Sequence, residues 1–112
     1  MKNLGVAALA AVVALISNDA RAAYTHGMTG QLESVSTFTD SDAVYVRLKN
    51  QPTSHPGCTP GYFVIEANVP LERRKMLLAR LLTAYASGET IFVGYDGNGS
   101  CADGYIRLHR VG

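Results

Sequence analysis

The chain has two cysteines, and each opens the same spelling: Cys-Thr-Pro-Gly-Tyr at 58–62 and Cys-Ala-Asp-Gly-Tyr at 101–105. Each spelling leads straight into an apolar segment, and in each the Cys stands four residues before the Tyr. Two cysteines allow one pairing only, so a Cys58–Cys101 disulfide is the single covalent staple open to this chain in an oxidising compartment. What fold would place two such spellings side by side is the question the rest of the sequence has to answer.

The N-terminus speaks for that compartment. Lys2 supplies a positive start, Leu4 to Ile16 form an uncharged, mostly apolar run, and Ala20-Arg21-Ala22 gives a small-x-small pattern. These are the three parts of a secretory signal, with the cut expected after Ala22. A transmembrane anchor needs about 20 apolar residues, more than this run offers, so no membrane span is expected after cleavage. The mature chain, 23–112, holds 90 residues with eight basic and eight acidic side chains once Lys2, Arg21 and Asp19 are removed. A net charge near zero argues against a nucleic-acid binder, which carries a basic excess for phosphates. The length fits one domain with a modest core, the size at which exported domains commonly use disulfides.

Along the mature chain, a polar lead-in (24–29) precedes GQLESVSTF at 30–38. Its apolar Leu32, Val35 and Phe38 break strict alternation, as a bulged or strongly bent strand does. After a turn at 39–42, AVYVRLKN (43–50) alternates cleanly, with Val44, Val46 and Leu48 on one face and Tyr45, Arg47 and Lys49 on the other. A loop with three prolines, 51–61, leads to YFVIEA, where Phe63 and Ile65 oppose Tyr62, Val64 and Glu66. Asn68 and Pro70 signal a helix start and Gly88 a stop. Between them Leu71, Leu78, Leu81, Leu82 and Tyr85 form the expected core stripe, with Arg73, Met76, Leu77 and Arg80 off it. Two more strands follow, ETIFVGYD (89–96) and YIRLHRV (105–111), separated by a glycine-rich loop. In the last, Ile106 and Leu108 oppose Tyr105, Arg107 and His109.

The fold class is therefore mainly β with one helix, in the order β-β-β-α-β-β. That is the order of the OB-fold, a small five-stranded Greek-key barrel. In that fold the third and fifth strands are parallel neighbours. Equal Cys-to-Tyr offsets then bring the sulfurs to one end of the barrel, within the Cα separation of about 4.4–6.8 Å that a disulfide needs. Each Gly is expected to turn its loop sharply into the strand. The bridge encloses 42 residues, a loop worth roughly 3–4 kcal/mol in the entropy model.

No catalytic constellation emerges. His26, His55 and His109 lack zinc spacing, no serine sits in a G-x-S-x-G elbow, and Glu66, Asp96 and Asp103 form no recognisable pair. The loop GYDGNGSCADG lacks the Lys-Ser/Thr ending of a phosphate loop. A non-enzymatic protein with no cofactor and no metal is expected. What remains is surface. The outward set is Tyr45, Arg47, Lys49, Tyr62, Glu66, Tyr105, Arg107 and His109. Within it Tyr45, Arg47, Tyr62, Tyr105 and Arg107 are the candidate binding face, because rings stack and charged donors orient. Since they point outward, replacing Tyr45 or Arg47 is expected to weaken binding and leave stability nearly unchanged. Arg73, Met76, Leu77 and Arg80 are the candidate helix interface for a neighbouring subunit.

With the element order, the signal and the disulfide in place, the chain resembles the B subunits of pentameric bacterial toxins, the subtilase-cytotoxin and pertussis-like groups nearest. The stretch KMLLARLLTAYASGETIFVGYDGNGSC at 75–101 carries most of the likeness. The resemblance implies an exported OB-fold, a ring of five subunits with helices around a central pore, and glycan recognition on the outside. The expected role is thus a secreted or periplasmic binding protein that recognises a glycan or protein at a cell surface as a homo-oligomer. The rival expectation is a monomeric periplasmic interaction or inhibitor module.

Overall fold

The computed structural model describes residues 24–112. The signal expected at 1–22 and its cut lie outside the described residues. Six strands and one helix follow in order: β1 (His26–Thr37), β2 (Val44–Leu48), β3 (Thr59–Ile65), α1 (Leu71–Ser87), β4 (Thr90–Tyr95), β5 (Cys101–Ala102) and β6 (Tyr105–Val111). The sheet runs β3-β2-β1-β4-β6-β5, and a parallel β3–β6 pairing closes its five long strands into a barrel. β5 is an extra two-residue strand on β6.

Closure depends on β1, whose 12 residues serve two neighbours. Its first half pairs with β4 from His26↔Tyr95 to Gln31↔Thr90, and its second half pairs with β2. The register shifts between Leu32 and Ser34, so Glu33 is the bulged residue that the broken alternation announced. A bulge bends and twists its strand, which carries β1 from one partner to the other. The strand expected to begin at 30 begins at His26, within the polar lead-in. HGMT shows little alternation, and β4 imposes the extended form from outside. Gly27 permits it, because a Cβ there would lie 2.3 Å from Phe92 Cζ.

The barrel interior is filled by the expected alternating positions: Val44, Val46, Leu48, Phe63, Ile65, Ile106 and Leu108, joined by Leu32, Ile91 and Val93. One polar group is buried among them. Gln51 accepts from the Leu48 N–H and donates to the Pro60 carbonyl, at 3.0 and 2.9 Å. It thereby ties the proline-rich loop to the barrel, as a buried amide must be partnered.

α1 starts after Pro70 and ends at Gly88, whose φ of 69° is left-handed and whose N–H donates to the Ala84 carbonyl. Its buried face differs from the expected stripe. Leu81 and Ala84 are buried, with Leu77 and Leu78 packed beside them, while Leu71, Leu82 and Tyr85 are about half exposed. The i, i+4, i+7 line Leu77–Leu81–Ala84 closes the barrel. The helix carries more apolar residues than one face can bury, and the barrel decides which side is used.

Cys58 and Cys101 are bonded, with Cα atoms 5.7 Å apart. β3 and β6 are parallel as expected, but their register is uneven: Thr59↔Tyr105, then Phe63↔Ile106. β3 therefore spends four residues where β6 spends one.

Candidate functional site

The uneven β3–β6 pairing shapes the outer face. Residues 60–62 bulge out of the ladder, so the Pro60 and Gly61 carbonyls need other donors. Gln51 Nε2 serves Pro60, and Arg47 Nη1 donates to Gly61 at 2.7 Å. Arg47 Nε also donates to Glu33 at 2.6 Å. On the other flank Arg107 pairs with Glu66 and donates to the Cys101 carbonyl at 2.6 Å. Both candidate arginines are thus brought to the face, and both are held by internal partners.

Between them stand three tyrosines from three neighbouring strands. Tyr45 on β2, Tyr62 on β3 and Tyr105 on β6 lie with ring centroids 5.4–5.5 Å apart in every pair, mostly tilted or edge-to-face. Phe38, just after β1, adds a T-shaped contact to Tyr45 at 4.9 Å. These are favourable aromatic geometries. Beneath the rings, Ala43, Val64 and Ala102 are buried in a second small core. Val64 has the outward position that alternation gives it, yet it is buried, because β5 and the tyrosines cover that side of the barrel.

Tyr45 also donates its hydroxyl to Asp103 at 3.1 Å. Burial, then the hydrogen bond and charge of Asp103, and the charge of Tyr105 all push its pKa up. Tyr45 stays protonated at neutral pH. The hydroxyls of Tyr62 and Tyr105 make no hydrogen bond among the described residues, so two donor–acceptor groups remain open on a half-buried aromatic platform. Such a platform can stack an apolar ring face while its hydroxyls bond to polar substituents. Asp103 comes from the glycine-rich loop 97–104, and Phe38 adjoins the turn at 39–42. Tyr45 and Arg47 face outward as expected, and each also has partners within the face: Tyr45 packs on Phe38, Tyr62 and Tyr105, and Arg47 holds Glu33 and the Gly61 carbonyl.

His109 is separated from this face. β6 bulges against β4, where Tyr95↔Leu108 is followed by Gly94↔Arg110. The extra residue is His109, and a bulge re-aims its side chain. His109 lines a shallow groove of about 240 Å³ with Arg73, Met76 and Leu77 of α1. Three of the four helix-interface candidates meet there. The fourth, Arg80, is engaged instead with Glu89 at 2.6 Å, which raises its own pKa and lowers that of Glu89. The His109 Nε2 is buried without a partner among the described residues. Burial, then Arg107, holds its pKa below the ordinary range, against a weaker pull from Asp96. Leu77 packs on the core as well as lining the groove, whereas Met76 is 72% exposed.

Asp103, Glu33 and Phe38 went unassigned by sequence reasoning. The Asp-Gly pair at 103–104 is a strong hairpin signal and would have located Asp103. The broken alternation pointed to the bulge at Glu33 but not to its pairing with Arg47, and nothing local points to the contact of Phe38 with Tyr45. Among the described residues no cluster of His, Cys, Asp or Glu has metal-site geometry, and no helix is long and apolar enough to cross a membrane. Comparison with protein-family models, curated proteins and solved structures finds no match to this chain.

Proposed function

We propose that this chain is an exported, non-catalytic binding protein that recognises glycans at a cell surface through the Tyr45–Tyr62–Tyr105 face, working as a homo-oligomer in the manner of toxin B subunits. The observation that supports this most is the platform itself: three rings from three strands, held in register by Arg47 and Arg107, with two unengaged hydroxyls. Aromatic faces stack on the apolar faces of sugar rings, and hydroxyls at their edges suit sugar hydroxyls. The disulfide and the N-terminal signal pattern fit an exported setting.

The second reading, a monomeric periplasmic interaction or inhibitor module, draws on a different observation. Leu71, Met76, Leu82 and Tyr85 leave large apolar side chains exposed along α1, which is the kind of surface a protein partner covers. A glycan array probed with the mature protein, run alongside its native mass, separates the two. Selective glycan binding by an oligomer is expected. A monomer that binds no glycan and forms a stoichiometric complex with a protein would overturn the first reading in favour of the second.

A further inference from the structure

The described residues contain three asparagines, and their backbones differ in one respect that matters chemically. Asn50 donates its side-chain amide to the Thr29 carbonyl, and the following residue, Gln51, has its N–H bonded to Leu48. Asn68 is followed by Val69, whose N–H is bonded to the Glu66 carbonyl. Asn98 is followed by Gly99, and among the described residues neither the Asn98 side-chain amide nor the Gly99 N–H makes a hydrogen bond. Both residues are exposed, and a Cβ on Gly99 would meet nothing within 4 Å. The Asn98 carbonyl points at Gly57, lying 2.8 Å from where a Gly57 Cβ would be. In a trans peptide the Gly99 N–H then points the other way.

We infer that Asn98–Gly99 is a site of spontaneous covalent modification, and that its main product loosens the cover over the disulfide. The Gly99 nitrogen attacks Asn98 Cγ. A ring N–Cγ bond forms, the Cγ–Nδ2 bond breaks, and the amide group departs as ammonia with the Gly99 proton. Water then opens the cyclic imide at either carbonyl, leaving aspartate or isoaspartate. The net change consumes one water, releases one ammonia and involves no redox partner. Glycine at 99 favours the reaction because it has no side chain to hinder the approach and the widest backbone freedom.

The isoaspartyl product places one extra carbon in the main chain. That carbon has no room toward Gly57, where an ideal Cβ would already lie 2.5 Å from Gly99 Cα. The 98–99 segment must lift from Gly57, the neighbour of Cys58, and Cys58 is otherwise buried. Thiols then reach the Cys58–Cys101 bond more readily.

The test is to age the folded full-length mature chain in warm, mildly alkaline buffer, map peptides for isoaspartate, and time disulfide reduction by dithiothreitol. Conversion at position 98, with Asn50 and Asn68 unchanged, is expected. Gly99→Ala, which fits without contact, should slow it about tenfold, the factor that a barrier increase of ~1.4 kcal/mol produces. Aged protein should be reduced faster than fresh protein, and aged Asn98→Gln should not. Asn98→Asp adds the charge without the extra carbon and should be reduced at the fresh rate. If position 98 converts in urea but not in the fold, the site assignment is overturned. If aged and fresh protein are reduced equally fast, or Asn98→Asp matches the aged rate, the backbone-lengthening effect is overturned.

Discussion

At 101–105 the chain makes a hairpin: Cys101 and Ala102 pair with Ile106 and Tyr105 across a two-residue loop, and Asp103 and Gly104 have φ of 52° and 82°. At 58–62 the same spelling makes an irregular strand start, where Gly61 has no positive φ and its carbonyl is turned out to Arg47. The two segments meet where the Thr59 N–H donates to the Gly104 carbonyl at 2.9 Å. Their cysteines share one bond and their tyrosines one platform, so those letters have a common cause. Their glycines do not. Gly104 is demanded by a left-handed turn, whereas at Gly61 a Cβ would meet only Arg47 Nη1 at 4.0 Å. A repeated motif need not mean a repeated structure.

The largest expected effect concerns what the two segments share. Cys58→Ala and Cys101→Ala each remove the same bond, so each should lower stability by about 2–5 kcal/mol. The double variant should lose little more than either single one. Urea unfolding checks this, and additive losses would mean that one cysteine contributes mainly through packing.

Next comes the pair of arginines that tie down each segment. Arg107 and Glu66 are only 22% and 26% exposed, against 40% and 53% for Arg47 and Glu33. Arg107→Met should therefore cost about 1–3 kcal/mol, as for a charge-assisted bond in partial burial. Arg47→Met should cost less, since exposed ion pairs contribute about 0–1 kcal/mol. A reversed order in thermal unfolding would mean that the bulged carbonyls at 60–61 matter more than the hairpin.

The glycines give a smaller and sharper contrast. Gly104→Ala should destabilise by about 1–2 kcal/mol, the cost of a left-handed backbone for a residue with Cβ. Gly61→Ala should change stability by no more than about 0.5 kcal/mol. Equal effects would mean that the two segments share a backbone requirement after all.

The smallest effect lies where β6, launched by the second segment, is interrupted at His109. The folded state holds His109 below its ordinary value of about 6.5, through burial and Arg107. As pH falls the unfolded chain takes up the proton first, so the contribution of neutral His109 is present above that value and is lost below it. His109→Gln should flatten the stability profile in that window when unfolding is followed against pH. An unchanged profile would assign the acid sensitivity elsewhere.

These contrasts also mark what could be read in advance. Alternation in β2, β3 and β6 identified the barrel core because a period of two leaves each side chain one face to choose. It failed at Val64, where the other face is covered by β5, and at His109, where a bulge resets the count. The helix was legible from Pro70 to Gly88, but its buried side was not, because five apolar positions fit more than one stripe. Residues 26–29 carry too little pattern to declare a strand that β4 imposes. The tyrosines were legible as an outward set. Their mutual packing, and the internal engagement of Arg47 and Arg107, depend on a register that only the fold supplies.

Recognition is proposed at the tyrosine platform. Its most direct test is a glycan array read with three proteins: wild type, the double variant Tyr62→Phe/Tyr105→Phe, and the helix variant Arg73→Ala/Met76→Ala. The phenylalanines keep the rings and remove only the two open hydroxyls, at about 0.5–1.5 kcal/mol each for a neutral hydrogen bond. A roughly tenfold loss of glycan affinity at unchanged stability is expected for the tyrosine variant, and wild-type binding for the helix variant. Full binding by the tyrosine variant, with binding abolished in the helix variant, would contradict it and move the working surface to the groove between α1 and His109.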